Sequence, residues 1–146
     1  MKNNIMKKWV KALRSGKYKQ GIGMLKQFNS KGQAQHCCLG VLCELYNEEM
    51  KKNHKKALTE KICDNDSYHF KYGYTKFNGT SCALPEDVKK WSGIRTNYGK
   101  FYGNNDLYYS SNEEKNDLST PLDFLNDSGA KFKTISNIIE KNWENL

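Results

Sequence analysis

Met6, Trp9, Val10 and Leu13 recur at i, i+3, i+4 and i+7, the spacing of one face of an α-helix. Lys7, Lys8, Lys11 and Arg14 fall between them, so the opposite face is wet and basic, and Ser15-Gly16 is a plausible stop. Lys17-Tyr18-Lys19-Gln20 alternates like a strand that Gly21 and Gly23 interrupt, and residues 24–28 continue it. Asn29-Ser30-Lys31-Gly32 reads as a turn, so residues 18–35 are expected to form a hairpin. Cys38, Val41, Leu42 and Leu45 repeat the helical spacing and predict a buried helix over residues 36–52. Gly40 inside it costs on the order of 1 kcal/mol against Ala, which marks close packing against another element.

The second half is patterned less evenly. Residues 53–66 are polar and read as a loop. Tyr68, Phe70, Tyr72 and Tyr74 alternate with His69, Lys71 and Gly73 as a strand, followed by a hairpin-type Asn78-Gly79 turn. Residues 84–93 predict a short helix with Pro85 at its first position, Val88 and Trp91 inward, and Gly93 as its end. Residues 98–111 suggest two short strands and residues 112–117 a charged loop. A helix follows over residues 118–126 with Pro121 in its first turn. A last helix is lined by Phe132, Ile135, Ile138 and Ile139. No repeat or linker divides the chain, so residues 1–146 are expected to form a single α+β domain, several helices packed on a small antiparallel sheet.

Charge adds an asymmetry. The first 43 residues carry nine Lys or Arg and no acidic residue, and the other 103 hold 15 basic and 16 acidic side chains. The net charge of +8 therefore originates in the N-terminal third and points to an anionic partner there. Four of those nine charges are already explained as the solvated face of the first helix. No stretch approaches the roughly 20 apolar residues of a membrane span, and no apolar region or cleavage site of a signal peptide follows the basic start. Cysteines 37, 38, 43, 63 and 82 are odd in number, and three lie in the apolar helix. That pattern suits reduced thiols in a cytoplasmic protein.

The order Trp9-x-x-Ala12-Leu13-Arg14-Ser15-Gly16-x-Tyr18-x-Gln20-Gly21, Cys37-Cys38-Leu39-Gly40-Val41-Leu42-Cys43-Glu44-Leu45, Leu84-Pro85-x-x-Val88-x-x-Trp91-x-Gly93 and Leu125-Asn126-Asp127-x-Gly129-x-x-Phe132-x-x-Ile135 resembles a family of small, mostly uncharacterised bacteriophage accessory proteins. The resemblance spans nearly the whole chain. It implies an accessory protein in the cytoplasm of the infected bacterium, and by analogy an inhibitor of host defence. Some such inhibitors sequester nucleotide-derived immune signals, cyclic dinucleotides or cyclised ADP-ribose.

A ligand of that class needs cations for phosphate and aromatic faces for bases. The only two arginines, Arg14 and Arg95, stand out against 22 lysines as bidentate phosphate ligands. With Tyr18 or Trp91 for stacking and Gln20 for hydrogen bonding, they make up the expected ligand site of a non-enzymatic sequestering protein, for which a homo-oligomer is one open arrangement. Tyr68 and Tyr72 are further stacking candidates, and Lys17 and Lys19 further cations. Two alternatives stay open. Residues 122–135 read as helix, glycine turn, helix, with Lys131, Lys133, Thr134, Asn137 and Lys141 on or near the exposed face, as in a DNA-binding hairpin. Tyr102, Tyr108 and Tyr109 would suit a direct host-protein interface. The chain has no Cys-x-x-Cys and no His-x-x-x-His, so neither a metal nor a cofactor is expected. Nucleophilic catalysis by Cys37, Cys38 or Cys43 with His36, or metal binding at Asp64-x-Asp66, has little support, because the thiols sit in an apolar helix and the aspartates in a bare polar loop.

Overall fold

The first helix forms where the 3.6-residue pattern predicts it. In the computed structural model, which describes residues 1–64, 72–101 and 120–146, α1 spans Asn3–Arg14 and buries Ile5, Met6, Trp9, Val10, Ala12 and Leu13. Ser15 ends it: its backbone N–H and its hydroxyl both donate to the Ala12 carbonyl. The Trp9 indole N–H donates to the Cys38 carbonyl (2.9 Å), which ties α1 to the start of the second helix.

That helix, α2 (Cys38–Lys52), begins two residues later than expected. His36 instead closes a strand, and Cys37 caps the helix, its Sγ accepting from the Gly40 N–H. Gly40 sits against the backbone of Leu25: a β-carbon there would lie 1.6 Å from the Leu25 carbonyl oxygen. The close approach inferred from the sequence is therefore a backbone contact between the helix and the residue that leads into the strand Lys26–Phe28.

Five short strands form one sheet: β1 (Lys19–Gln20), β2 (Lys26–Phe28), β3 (Ala34–His36), β4 (Glu60–Cys63) and β5 (Tyr74–Phe77), in the order β1-β3-β2-β5-β4. Only the β1–β3 pair is parallel. The hairpin expected over residues 18–35 is thus half correct. β2 and β3 pair antiparallel around the residue 29–33 turn, but β1 lies beyond β3 and runs parallel to it. β4 replaces part of the expected residue 53–66 loop. Its exposed edge position leaves no apolar alternation to read. The tyrosine-rich strand is described only from Tyr72 onward, and its paired portion is β5. Tyr68 and Phe70 lie outside the described residues, as do residues 102–119 with most of the two strands and the charged loop expected there. Asn78 and Gly79 both take positive φ (48° and 88°), and Phe77 and Thr80 bridge around them, the type I′ turn that Asn-Gly favours.

α3 (Glu86–Ser92), α4 (Leu122–Asp127) and α5 (Phe132–Asn142) follow, and a 3-10 turn covers Trp143–Asn145. Pro85 and Pro121 cap α3 and α4 rather than occupy their first turns. The fold is α+β. One hydrophobic cluster runs from Ile5 to Leu146, with Trp9, Leu25, Leu39, Leu42, Phe77, Val88, Leu122, Ile135 and Ile139 fully buried. Among the described residues no helix is long and apolar enough to cross a membrane.

Candidate anion-binding site

Antiparallel packing of α1 on α5 follows from their ends: the Met1 amino group donates to the Leu146 carbonyl, and Arg14 reaches residues 136–140. Between the helices lies a groove of about 500 Å³ lined by Lys7, Val10, Lys11, Arg14, Ser15 and Glu140. Lys7, Lys11 and Arg14 stand at i, i+4 and i+7, one stripe along α1. Arg14 donates through Nε to Ser136 Oγ (2.9 Å) and through Nη2 to Asn137 Oδ1 (2.7 Å) and Glu140 Oε2 (2.6 Å). Its Nη1 has no bond to a described residue. The Arg14 hydrogen bond holds the Glu140 carboxyl below its ordinary range. Lys7 and Lys11 have no carboxylate partner among the described residues, so their charge is uncompensated.

The other flank of α1 faces α2. There a groove of about 270 Å³ is lined by Lys8, Lys11, Ala12, Ser15, Lys17, Tyr18, Leu45 and Glu48. It adjoins a depression of about 440 Å³ that shares Lys8, Leu45 and Glu48 and adds Glu49, Lys52 and Asn53. Its cations are largely neutralised: Lys17 pairs with Glu48 (2.5 Å) and Lys8 with Glu49 (2.6 Å). Tyr18 donates to Glu48 Oε1 (3.1 Å), and its ring meets His36 edge-on with centroids 5.4 Å apart. Lys11 and Ser15 line both grooves, so the two sites meet over one turn of α1.

The five residues singled out from the sequence do not converge. Arg14 and Tyr18 open onto opposite flanks of α1. Gln20 is saturated by the fold: its amide donates to Asn126 Oδ1 and to the Ala130 carbonyl (2.7 Å), and its Oε1 accepts from the Phe132 N–H. Trp91 donates to Glu49 Oε1 (3.0 Å) and packs edge-on against Tyr46. Arg95 lies by the start of α1, where burial first and its charge second lower the pKa of the Met1 amino group. The 12-residue α1 separates it from Arg14 by about 18 Å. Lys7 and Lys11, which the sequence assigned to an ordinary wet face, are the residues that join Arg14. The i, i+4, i+7 spacing was their signal, but only the seat of α5 beside them makes a groove.

The chain matches the model of the DUF8296 family over residues 1–143. It belongs to that family, a domain of unknown function. No curated protein and no solved structure matches it.

Elsewhere in this DUF8296 protein a half-buried ion-pair network joins β2, β3, α2 and β4. Glu44 accepts from His36 Nε2 (3.2 Å) and pairs with Lys26 (2.9 Å), which also reaches Glu60 (3.1 Å). Burial alone would raise the Glu44 carboxyl, but hydrogen bonds from His36 and Lys26 overcome it and hold the pKa at about 2. Burial pushes the Cys37 thiol up to about 12 and the Cys38 and Cys43 thiols well above their ordinary value. Protonated, buried thiols beside a histidine engaged by Glu44 do not make a nucleophile. Among the described residues no three His, Cys, Asp or Glu cluster as metal ligands, and Asp66 lies outside them. The α4–α5 hairpin is present, with Lys131, Lys133, Thr134 and Lys141 exposed. Asn137 is exposed too, but its side-chain oxygen is held by Arg14. Tyr102, Tyr108 and Tyr109 lie outside the described residues.

Proposed function

We propose that this protein is a bacteriophage accessory protein that sequesters a nucleotide-derived immune signal, of the cyclic dinucleotide or cyclic ADP-ribose type, in the cytoplasm of the infected bacterium, without cleaving it. The observation that carries the reading is the row Lys7–Lys11–Arg14 along a groove of about 500 Å³, a volume in the range of small-molecule sites. Two of its cations, Lys7 and Lys11, have no partner among the described residues. Arg14 Nη1 has none among them either, and Ser136 and Asn137 fix the guanidinium's orientation, so among the described groups a phosphate competes only with the exposed carboxylate of Glu140. Tyr18, across the turn that carries Lys11 and Ser15, supplies a ring for a base. Gln20, Trp91 and Arg95 shape the fold around the site rather than enter it.

The test is to incubate the pure protein with a panel of cyclic dinucleotides and cyclic ADP-ribose isomers, remove unbound ligand, denature by heat and analyse what is released. Intact ligand is expected, with retention lost in Lys11→Glu/Arg14→Ala. A chemically altered product would make the protein an enzyme, and absence of retention across the panel would overturn the reading.

A further inference from the structure

α2 ends in an ordered basic turn that the Arg14 groove does not use. Asn53 caps the helix, His54 adopts the left-handed conformation (φ 53°), His54 N–H donates to the Lys51 carbonyl and Lys55 N–H to the Met50 carbonyl (2.8 Å). That is the Schellman pattern, which here fixes residues 51–56 against the helix end. Lys51, Lys52, Lys55 and Lys56 are all exposed, and none has a carboxylate partner among the described residues. No acidic residue occurs between Met50 and Thr59. Lysines in a last helical turn are common because they complement the helix dipole, but that accounts for Lys51 and Lys52 and not for Lys55 and Lys56. The depression beside Lys52 and Asn53 also holds Glu48, Glu49 and Lys8, and Lys8 pairs with Glu49 there, so the unpaired charge lies on the turn itself.

We infer that this end of the molecule is a sequence-independent docking surface for duplex nucleic acid, with Lys51, Lys52, Lys55 and Lys56 contacting backbone phosphates. A duplex presents one negative charge per about 1.7 Å of its axis, a density that four point charges on one fixed turn can engage together. Apart from the His54 imidazole, residues 51–56 contain no aromatic side chain, and none is apolar. One small ring is not the row of aromatic faces that holds successive bases of a single strand, and the turn has nothing to bury in a lipid headgroup layer. Its lysines carry no fork for reading base edges, so binding is to the backbone.

The experiment is a fluorescence-anisotropy titration of a 20-base-pair duplex with the full chain between 50 and 200 mM salt. Four phosphate contacts give a log–log salt slope between about −3 and −4, and an affinity loss of about 100-fold over that range. Replacing all four lysines by glutamine is expected to weaken binding at least tenfold and to flatten the slope to near −1. These side chains are exposed and make no ion pair among the described residues, so the variant loses only the dipole complementation of Lys51 and Lys52 and melts within a few degrees of the parent. Lys7→Gln/Lys11→Gln, which alters the ligand groove, leaves the duplex affinity within about twofold, so the two sites fail independently. No duplex binding at 50 mM salt, binding unchanged in the fourfold variant, or binding to vesicles containing phosphatidylserine without binding to duplex would each overturn the inference.

Discussion

Replacing Gly40 by alanine tests the central packing contact of the fold. Taken as an isolated helix position, the change should stabilise, because alanine is favoured over glycine by about 1 kcal/mol in a helix interior. The tertiary contact predicts the reverse. A β-carbon at Gly40 would lie 1.6 Å from the Leu25 carbonyl oxygen, 2.5 Å from its carbonyl carbon and 3.0 Å from its α-carbon. Non-bonded carbon contacts settle near 3.5–4.0 Å, so α2 and the Leu25 backbone leading into β2 must part by roughly 2 Å. No rotamer change relieves the clash, since the atoms on both sides are backbone. Leu25 is itself fully buried, and its N–H donates to the Ser81 carbonyl at 2.7 Å, so moving it disturbs the adjoining loop as well. Overpacking typically costs about 1–3 kcal/mol, and this backbone-on-backbone case belongs at or above the top of that range. Subtracting the helix gain leaves a net destabilisation of at least about 2 kcal/mol, or a melting temperature lower by about 4–8 °C for a chain of this size. Thermal and urea unfolding followed by circular dichroism at neutral pH measure it. A Gly40→Ala protein that melts at or above the parent would refute the contact.

Two further predictions concern polar groups. Glu44 has a folded pKa of about 2 against an ordinary 4.5, so its contribution is fully present above pH 4.5 and is lost as pH falls through about 2. The shift corresponds to about 3 kcal/mol at neutral pH, so Glu44→Gln should destabilise by that order and flatten the loss of stability between pH 4.5 and 2. Urea titrations across that interval decide it, and an unchanged acid limb in the variant would sink the assignment. His54 holds a left-handed position where glycine carries no steric penalty of about 1–2 kcal/mol. After the extra unfolded-state entropy of glycine, about 0.4–1 kcal/mol, His54→Gly should be neutral to about 1 kcal/mol stabilising. A lower melting temperature would show that the imidazole contributes contacts beyond the backbone geometry.

The Arg14 groove shows why a site was only half legible in the sequence. The row Lys7, Lys11, Arg14 is local, set by helical period, and could be read directly. The other wall of the groove is not local: Arg14 meets Ser136, Asn137 and Glu140 at separations of 122, 123 and 126 residues. Gln20 looked like a ligand group because it follows Tyr18 on a glycine-interrupted strand. Its partners, Asn126, Ala130 and Phe132, lie more than 100 residues away and use every polar atom it has. Asn126 stands in the sequence as the last residue of a helix and one position of a motif, with no role attached. It is wholly buried, donating to the Gly21 carbonyl and accepting from Cys38 N–H and Gln20, so it joins β1, α2 and α4.

By itself the sequence determined the helices and the Asn78-Gly79 turn. Helical periodicity, caps and positive-φ dipeptides act over a few residues, and the apolar face of α1, α2 or α5 repeats often enough to be unmistakable. Only the tertiary structure decided the sheet and the meaning of the charges. Strands of two to four residues carry too little alternation to announce themselves, and the placement of β1 beside β3 or β4 at an edge is set by pairing with distant segments. The same holds for charge. Composition put nine cations in the N-terminal third, but tertiary packing chose which pair with Glu48, Glu49 and Glu140 and which, at Lys7 and Lys11, have no carboxylate partner among the described residues.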